Sequence, residues 1–259
     1  MRISNKEIGD VVRYIENHKY IRIEDKISEF NDVMAEIGWV KEVVPDMKIL
    51  EIGTGIGWLP IICKMKCLCC KGIEISPQLV EFSRNFGREN GVEPDIELGN
   101  IEDCDIGEST YDVILALSSF EHVEKWQEGL RKVYRALKPG GVFYFISSNK
   151  FSLKSGEYDF PLYGWLPNSL RYKLRIARQG PDIMELGIDF NQFTYFQLRR
   201  FFSRLGFSRI YDRIDIVNAL GFTQPTSKKR LFLKMAQRSG VLRNLILLFL
   251  GTTNFICVK

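Results

Sequence analysis

The residues best suited to bind a ligand lie in one turn, where an acidic residue precedes three glycines at alternate positions. The turn reads E-I-G-T-G-I-G-W from Glu51 to Trp58 and follows an apolar, strand-like run. A pyrophosphate-binding turn needs the spacing G-x-G-x-x-G, but Trp58 occupies its third glycine position. The Glu51 carboxylate would also lie beside the anionic pyrophosphate. The pattern therefore favours a cationic ligand without phosphate, and a plain strand-to-helix turn rich in glycine is the alternative.

Three further side chains with suitable chemistry follow at the ends of predicted strands. Glu74 comes after the predicted strand 68–73, where a carboxylate can accept two hydrogen bonds from a ribose diol or simply stand exposed before a helix. Asn100 can accept a hydrogen bond through its amide oxygen. His122 follows the predicted strand 112–117, and an imidazole with an ordinary pKa of ~6.5 suits a general base. Packing or capping of the next helix is the other interpretation of His122.

In order and spacing, these motifs resemble the class I S-adenosylmethionine-dependent methyltransferases of type 11 and type 12, over about residues 46–148. The resemblance implies S-adenosylmethionine as cofactor. Its methionine part would lie over the glycine loop, Glu51 would anchor its amino-acid end, and Glu74 would bind its ribose hydroxyls. The family usually has Asp where this chain has Asn100. The cofactor-binding residues implied are Glu51, Gly53, Thr54, Gly55, Gly57, Glu74, Ile75, Asn100, Ile101 and Leu117.

Methyl transfer is an in-line displacement, so a protein contributes alignment, exclusion of water and, for a hydroxyl acceptor, removal of a proton. His122 is the candidate catalytic residue, with Glu121 and Ser119 as weaker alternatives. The prediction that the methylated atom is an oxygen rests on His122 alone. Aromatic residues that could line the acceptor pocket, or simply pack a lid, are Tyr14, Tyr20, Tyr158, Tyr163 and Trp165.

The elements that must position these residues alternate regularly. Apolar strands are predicted at 48–52, 68–73, 112–117 and 142–147, with helices at 58–66, 77–90 and 123–137 between them. This alternation predicts a parallel sheet with helices on both faces, and the resemblance implies an α/β fold with a Rossmann-like, mainly parallel seven-stranded sheet. Later elements are predicted as a helix at 192–205, a strand at 208–216, a helix at 227–250 and a strand at 254–259.

The chain is predicted to form a single domain over residues 1–259. Residues 1–45 form an N-terminal helical cap and residues 46–148 form the cofactor-binding core. Residues 149–190, rich in aromatic residues and punctuated by Pro161, Pro167 and Pro181, form an inserted acceptor lid. Residues 191–259 complete the sheet and carry a basic, apolar helix at 227–250.

Composition excludes several classes of protein. The 259 residues are 45% hydrophobic and 26% charged, which is ordinary for a globular protein and argues against disorder or a collagen-like chain. The longest strongly apolar run, 245–250, is far shorter than the ~20 residues of a membrane span. The polar start shows no signal peptide, so we expect a cytoplasmic protein, and peripheral contact with a membrane is left open.

The six cysteines do not form a recognisable metal site. Four of them lie within residues 63–70, but the spacing C-x3-C-x-C-C lacks the C-x2-C pairs of zinc sites and no histidine is near. We therefore predict no metal, and expect residues 67–70 to be small buried hydrophobes.

Charge is distributed unevenly. The net charge is +4, but residues 1–137 hold 17 Lys/Arg against 25 Asp/Glu, and residues 138–259 hold 19 against 7. The basic, apolar stretch 227–250 would suit an anionic membrane surface, and a solvated basic face over an ordinary helix is the alternative. A nucleic-acid partner is disfavoured, since neither an appended binding module nor the Asn/Asp-Pro-Pro-aromatic motif follows the strand 112–117.

The predicted substrate is a small-molecule, sugar or lipid-linked acceptor, and the oligomeric state is left open. The sequence leaves three other functions open. The chain could be a non-catalytic protein that binds S-adenosylmethionine, an RNA or protein methyltransferase using its basic half, or a nicotinamide-dependent oxidoreductase.

Overall fold

Seven strands form a single sheet in the part of the chain that the computed structural model describes, which is residues 11–153, 161–180, 191–221 and 227–259. The strands are β1 (Lys48–Ile52), β2 (Cys69–Glu74), β3 (Asp95–Leu98), β4 (Tyr111–Leu117), β5 (Leu137–Ser148), β6 (Arg209–Asp212) and β7 (Thr252–Val258). Their spatial order is β3-β2-β1-β4-β5-β7-β6.

The first five strands run parallel, and β7 runs antiparallel to both β5 and β6. The predicted Rossmann-like, mainly parallel seven-stranded sheet is confirmed. Strand order reverses between β1 and β4, so the loops after these two strands diverge and open a crevice at their carboxyl ends. The strand β3 was not anticipated, because its sequence Asp95–Leu98 is short and only one of its residues is buried.

Helices cover both faces of the sheet. They are α1 (Val11–His18), α2 (Ile23–Gly38), α3 (Trp58–Met65), α4 (Pro77–Glu89), α5 (Trp126–Ala136), α6 (Asn168–Gln179), α7 (Tyr195–Leu205), α8 (Arg213–Leu220), α9 (Ser227–Arg238) and α10 (Gly240–Phe249). Alternate residues of β4 enter two separate cores. Ile114 packs with residues of α5 and α7, and Val113 packs with residues of α2 and α3.

The predicted helical cap over residues 1–45 contains two helices within its described part, α1 and α2. Glu36 of α2 ties this region to the sheet. It accepts hydrogen bonds from the Tyr144 hydroxyl at 2.7 Å and from the Arg213 guanidinium at 2.6 Å. That residues 1–45 act as a separate cap stays a prediction.

The prediction of a strand over 208–216 was wrong beyond Asp212, where α8 begins. The Asp212 carboxylate accepts hydrogen bonds from the backbone N–H groups of Ile214 at 3.0 Å and Asp215 at 3.3 Å. The Asp215 carboxylate in turn accepts from the Asp212 N–H at 3.1 Å. This reciprocal capping starts a helix despite the β-branched residues that follow, because it satisfies donors that the first helical turn leaves free.

The single helix predicted over 227–250 is two helices, α9 and α10. The break falls at Ser239, whose hydroxyl accepts a hydrogen bond from the Leu242 N–H at 3.3 Å and so caps α10. The expected burial of residues 67–70 was also partly wrong. Cys70 is buried, but Cys67 and Cys69 are exposed where β2 begins at the sheet surface.

The predicted lid region 149–190 is described over 149–153 and 161–180. It contains a 3₁₀ turn at Tyr163–Trp165 and the helix α6. Tyr158, Phe160 and Pro181 lie outside the described residues, and the extent of the lid stays a prediction. Searched over the described segments, no helix is both long and apolar enough to cross a bilayer.

Candidate cofactor-binding site

A cavity of about 340 Å³ opens at the carboxyl ends of β1, β2 and β4. It lies at the reversal of strand order, where open α/β sheets bind ligands. The predicted cofactor-binding residues and the predicted catalytic residue that line it are Glu51, Gly53, Thr54, Gly55, Glu74, Ile75, Asn100, Ile101, Leu117 and His122. Gly57 does not line it. The fold therefore brings together side chains spread over 72 positions of sequence, and their contact with a cofactor remains a prediction.

The glycine loop turns sharply because three of its residues have left-handed backbone angles. The φ angles are +74° at Gly53, +57° at Gly55 and +72° at Gly57. A Cβ atom on Gly53 would lie 2.6 Å from Cβ of Ser119, and one on Gly57 would lie 2.6 Å from Cβ of Ser83. The absence of a side chain at Gly57 thus allows α3 to pack against α4. The absence of side chains at Gly53 and Gly55 leaves room in the cavity.

Glu51 presents a buried carboxyl group with unused hydrogen-bonding capacity. The residue is 2% exposed, and its Oε2 atom has no hydrogen-bond partner among the described residues. Burial raises the pKa of the Glu51 carboxyl well above its usual value, and the neighbouring Cys63 and Glu74 act in the same direction. A cationic donor in the cavity would compensate for this burial.

Two hydroxyl groups on the cavity wall share this property. Oγ1 of Thr54 and Oγ of Ser119 are buried without a hydrogen-bond partner in the described part of the chain. Buried polar atoms are normally paired, so three unpaired atoms around one cavity indicate a polar ligand.

Glu74 holds the glycine loop against the end of β2. Its Oε2 accepts a hydrogen bond from the Gly55 N–H at 2.8 Å, and its Oε1 accepts from the N–H groups of Ile75 at 2.9 Å and Ser76 at 3.1 Å. Burial raises the pKa of the Glu74 carboxyl, while these three bonds oppose the rise. Because each carboxylate oxygen can accept about two bonds, Oε2 retains capacity for a hydroxyl donor.

The turn after β3 forms the far wall of the cavity and is held by α5. The Lys132 ammonium donates to the carbonyl oxygens of Ile101 at 3.1 Å, Glu102 at 2.6 Å and Cys104 at 3.0 Å. Within the turn, Oδ1 of Asn100 accepts from the Glu102 N–H at 3.0 Å. The amide oxygen of Asn100 therefore already accepts one of the about two hydrogen bonds that it can accept, and this bond fixes the orientation of the side chain.

The two acid–base candidates after β4 point to different places. His122 ends a 3₁₀ turn, Phe120–His122, and lines the cavity half-buried. Glu121 is fully buried and faces β5, where it accepts hydrogen bonds from the Ser147 hydroxyl at 3.1 Å and the Ser148 N–H at 3.4 Å. Glu121 therefore supports the turn and is not placed to act in the cavity.

Several wall residues were not singled out as binding residues from sequence. Ile73 and Val123 line the cavity without any local motif, because only the fold decides which apolar residues face it. Tyr14 of α1, by contrast, is one of the aromatic residues predicted from the sequence as pocket candidates; it lines the cavity, and its hydroxyl would lie 3.0 Å from a Cβ on Gly55. The other aromatic candidates in the described residues, Tyr20, Tyr163 and Trp165, do not line this cavity.

Comparison with known proteins agrees with this arrangement. Residues 50–145 match the family model described as a methyltransferase domain. Among curated relatives, the norajmaline N-methyltransferase of Rauvolfia serpentina is 26% identical over 102 residues, 38% of this chain and 35% of that protein. The ubiquinone biosynthesis O-methyltransferase of Rickettsia bellii is 24% identical over 132 residues, 49% of this chain and 53% of that protein. The chain thus spans about half, or less, of the length of these relatives.

Solved structures share the fold at low sequence identity. Phosphoethanolamine N-methyltransferase 2 of Haemonchus contortus, with phosphomonomethylethanolamine and S-adenosylhomocysteine bound, has a TM-score of 0.61 and 14% identity, covering 99% of this chain and 60% of that one. An S-adenosylmethionine-dependent methyltransferase from Mesorhizobium loti has a TM-score of 0.55 and 18% identity, covering 87% and 96%. Residues 50–145 are therefore similar to a methyltransferase domain, and the chain shares the Rossmann-like fold of S-adenosylmethionine-dependent methyltransferases, which implies S-adenosylmethionine as the cofactor.

The residues present fit this cofactor. Glu51, with Thr54 and Ser119 nearby, offers unpaired acceptors for a cationic amino-acid group, and Glu74 offers an acceptor for hydroxyls. No Lys or Arg side chain lines the cavity among the described residues, which suits a ligand without phosphate.

Proposed function

We propose that the protein is a methyltransferase that transfers the methyl group of S-adenosylmethionine to an oxygen atom of a small-molecule acceptor. The observation that carries the proposal is the unpaired, buried Oε2 of Glu51 on the wall of a cavity that lacks basic side chains. A nicotinamide dinucleotide would instead bring its pyrophosphate to this carboxylate. Such a contact is electrostatically unfavourable.

Each wall of the cavity has a separate role in binding. Glu51, Thr54 and Ser119 bind the amino-acid end of the cofactor, and Glu74 binds its ribose. Ile75 and Ile101 provide apolar contact for the adenine ring. S-Adenosylmethionine, when bound, supplies an electrophilic methyl group on a positively charged sulfur. The protein contributes alignment and exclusion of bulk water, which together account for much of the acceleration of such displacements.

His122 completes the proposal as the proton acceptor. It lies at the carboxyl end of β4, on the wall of the same cavity, and imidazole can take a proton from an acceptor hydroxyl near neutral pH. The assignment of oxygen as the methylated atom rests on this residue, since an amine acceptor that is already neutral needs no base.

The acceptor is proposed to be small and apolar, lipid-linked molecules included. The curated relatives named above are biosynthetic O- and N-methyltransferases, which supports a small molecule in preference to RNA or protein. Specificity would come from the region 149–190, which follows β5 at the same edge of the sheet as the cavity. A cytoplasmic location with peripheral membrane contact fits this acceptor.

Calorimetry with S-adenosylmethionine, S-adenosylhomocysteine and NADH on the same preparation tests the cofactor. We expect both sulfur compounds to bind, and NADH not to bind. Tight binding of NADH alone would overturn the proposal. Incubation with methyl-labelled cofactor and fractionated extract then tests the acceptor. Label in a small-molecule or lipid fraction supports the proposal, whereas label in RNA or protein contradicts it.

A further inference from the structure

Large apolar side chains form an exposed stripe along one side of α10. Val241, Leu245 and Phe249 recur at four-residue spacing, which places them on one helix face, and they are 74%, 47% and 39% exposed. Most large apolar residues of a folded protein are more deeply buried, and a contiguous exposed row marks a surface that contacts something apolar.

The stripe continues into the lid region. The ring of Phe249 stacks on that of Trp165, with centroids 5.8 Å apart and an interplanar angle of 18°, and Trp165 is itself 39% exposed. Leu153 and Leu162 are also exposed, and they are joined by a backbone hydrogen bond from the Leu162 N–H to the Leu153 carbonyl at 3.2 Å. Two separate parts of the chain thus contribute to one apolar surface.

The Phe249 end of this stripe lies at the edge of the sheet where the cofactor cavity opens. Phe249 is followed by β7, whose first residue, Thr252, pairs with Ser148 at the carboxyl end of β5. Strand β5 is the direct neighbour of β4, whose carboxyl end leads to the cavity residue Ser119. With strands ~4.8 Å apart, a surface bound to the stripe would lie close to the mouth of the cavity.

The charged residues of α9 and α10 are all basic. On α9, Lys234 and Arg238 share an exposed face with Leu231 and Met235, and neither cation makes an ion pair with any described residue. No acidic residue occurs from position 216 to the end of the sequence, nor within 149–153 and 161–180. An isologous dimer through this face would bring two basic surfaces together, whereas an anionic bilayer would attract them.

We propose that the stripe formed by Val241, Leu245, Phe249 and Trp165 inserts into the interface of an anionic bilayer, with Lys234 and Arg238 on the lipid headgroups. Apolar groups would enter the headgroup boundary and the cations would remain at its surface, as in other interfacial helices. The methyl acceptor is then an apolar molecule resident in the bilayer. This last step rests on the methyltransferase function proposed above, while the docking itself does not.

Co-sedimentation of the full chain with vesicles tests the docking. We expect binding to vesicles of phosphatidylcholine mixed with phosphatidylglycerol, much weaker binding to phosphatidylcholine alone, and a decrease with salt. Leu245→Ser should lower the partition about tenfold, from the apolar transfer energy of one leucine. Met65→Ser, at a similarly exposed position on α3, is the matched control and should change nothing.

Charge and fluorescence give independent readouts. Lys234→Glu with Arg238→Glu should weaken binding to the anionic vesicles, whereas Lys64→Glu on α3 should not. Trp165 is the most exposed of the four tryptophans, so anionic vesicles should shift the emission of the wild type to shorter wavelength and leave that of Trp165→Phe unchanged. Each variant is first checked for unaltered binding of S-adenosylmethionine by calorimetry, which keeps folding and cofactor binding apart from docking.

Three outcomes would overturn the docking. They are the absence of vesicle binding, binding that is equal on neutral vesicles and insensitive to salt, and a concentration-dependent dimer that Leu245→Ser abolishes. The last would identify the stripe as an interface between two copies. Vesicle binding without methyl transfer to any bilayer-resident molecule would leave the docking intact and refute the bilayer acceptor. Failure to bind S-adenosylmethionine would refute the proposed function and leave the docking test unaffected.

Discussion

Glu51 combines full burial, a raised pKa and an oxygen atom without a hydrogen-bond partner on the cavity wall. A carboxyl group in these surroundings is poorly stabilised as an anion until a cation joins it. The protonation state of Glu51 therefore depends on whether the ligand is bound. As a result, both the affinity for the ligand and the free energy of unfolding should depend on pH.

We expect binding of S-adenosylmethionine to release a proton. Because burial raises the pKa of Glu51 in the free protein, part of the population has a neutral carboxyl above the ordinary carboxyl range, and a bound ammonium group favours the carboxylate. Affinity should therefore increase with pH until the free protein is fully ionised. Calorimetry in phosphate and Tris, which differ in ionisation enthalpy, counts the protons. Equal apparent enthalpies in the two buffers would contradict the prediction.

Glu51→Gln separates this charge from the shape of the side chain. Loss of a charged hydrogen bond should weaken S-adenosylmethionine binding by about 1.5–3 kcal/mol and remove its pH dependence. The free variant should be at least as stable as the wild type at neutral pH. A carboxyl whose folded pKa is raised contributes less stability as pH rises above its unfolded pKa, and glutamine lacks that titration. Denaturant unfolding at two pH values measures this difference.

His122→Asn tests the proposed proton acceptor. If His122 takes the acceptor proton, the rate of methyl transfer should decrease by roughly 10²–10⁴-fold while S-adenosylmethionine affinity remains unchanged. An unchanged rate would assign His122 to packing after β4, which is the other interpretation of this residue.

At the scale of elements, the glycine loop depends on both backbone conformation and available space. Gly57 has a φ of +72°, and a Cβ there would meet Ser83 at 2.6 Å. Gly91 has nearly the same φ, +75°, with nothing within 4 Å of an added Cβ. The two positions therefore separate the effect of the left-handed backbone from that of crowding between α3 and α4.

Gly57→Ala should destabilise the protein more than Gly91→Ala. In both variants the left-handed conformation of alanine should lower the free energy of unfolding by about 1–2 kcal/mol. In Gly57→Ala, overpacking against Ser83 should lower it by a further ~1–3 kcal/mol. Chemical denaturation gives both free energies of unfolding. Similar values for the two variants would mean that Ser83 yields without cost and that only the backbone conformation requires glycine at position 57.

At the scale of the whole molecule, Asp212 joins elements that are distant in sequence. Its carboxylate caps α8 and accepts hydrogen bonds from the Tyr195 hydroxyl of α7 at 2.9 Å and the Arg243 guanidinium of α10 at 2.6 Å. The side chain is 1% exposed. The position of α10, and hence of the proposed docking stripe, depends on this buried cluster.

Asp212→Ala should lower the free energy of unfolding by about 2–4 kcal/mol, since it removes the cap of α8 and the acceptor of Tyr195 and Arg243, while Arg243 keeps its pair with Asp215 at 2.8 Å. Glu29→Gln is the control, because Glu29 forms an exposed pair with Lys26 at 2.7 Å within α2 and its loss should leave the melting temperature unchanged. Equal melting temperatures for Asp212→Ala and the wild type would show that the cluster does not hold α10.

The amino-acid order alone was sufficient to predict the glycine loop and the alternation of β1, β2, β4 and β5 with helices, but it did not reveal the short strand β3. These features follow from local patterns, namely apolar strands at regular intervals and an acidic residue before three glycines. The strand predicted over 208–216 and the helix predicted over 227–250 were partly wrong, because caps at Asp212 and Ser239 outweighed the hydrophobic pattern.

Other properties were decided only by the tertiary structure. The structure shows that the Glu51 carboxyl is buried with one oxygen atom unpaired, which the sequence could not reveal. It also distinguishes two adjacent acid–base candidates, because His122 lines the cavity and Glu121 binds Ser147 of β5. The exposed stripe on α10 could not be read from the run 245–250, which contains buried Leu247 beside exposed Leu245. Sequence periodicity identifies which residues share a helix face, but burial depends on what packs against that face, and distant parts of the chain supply it.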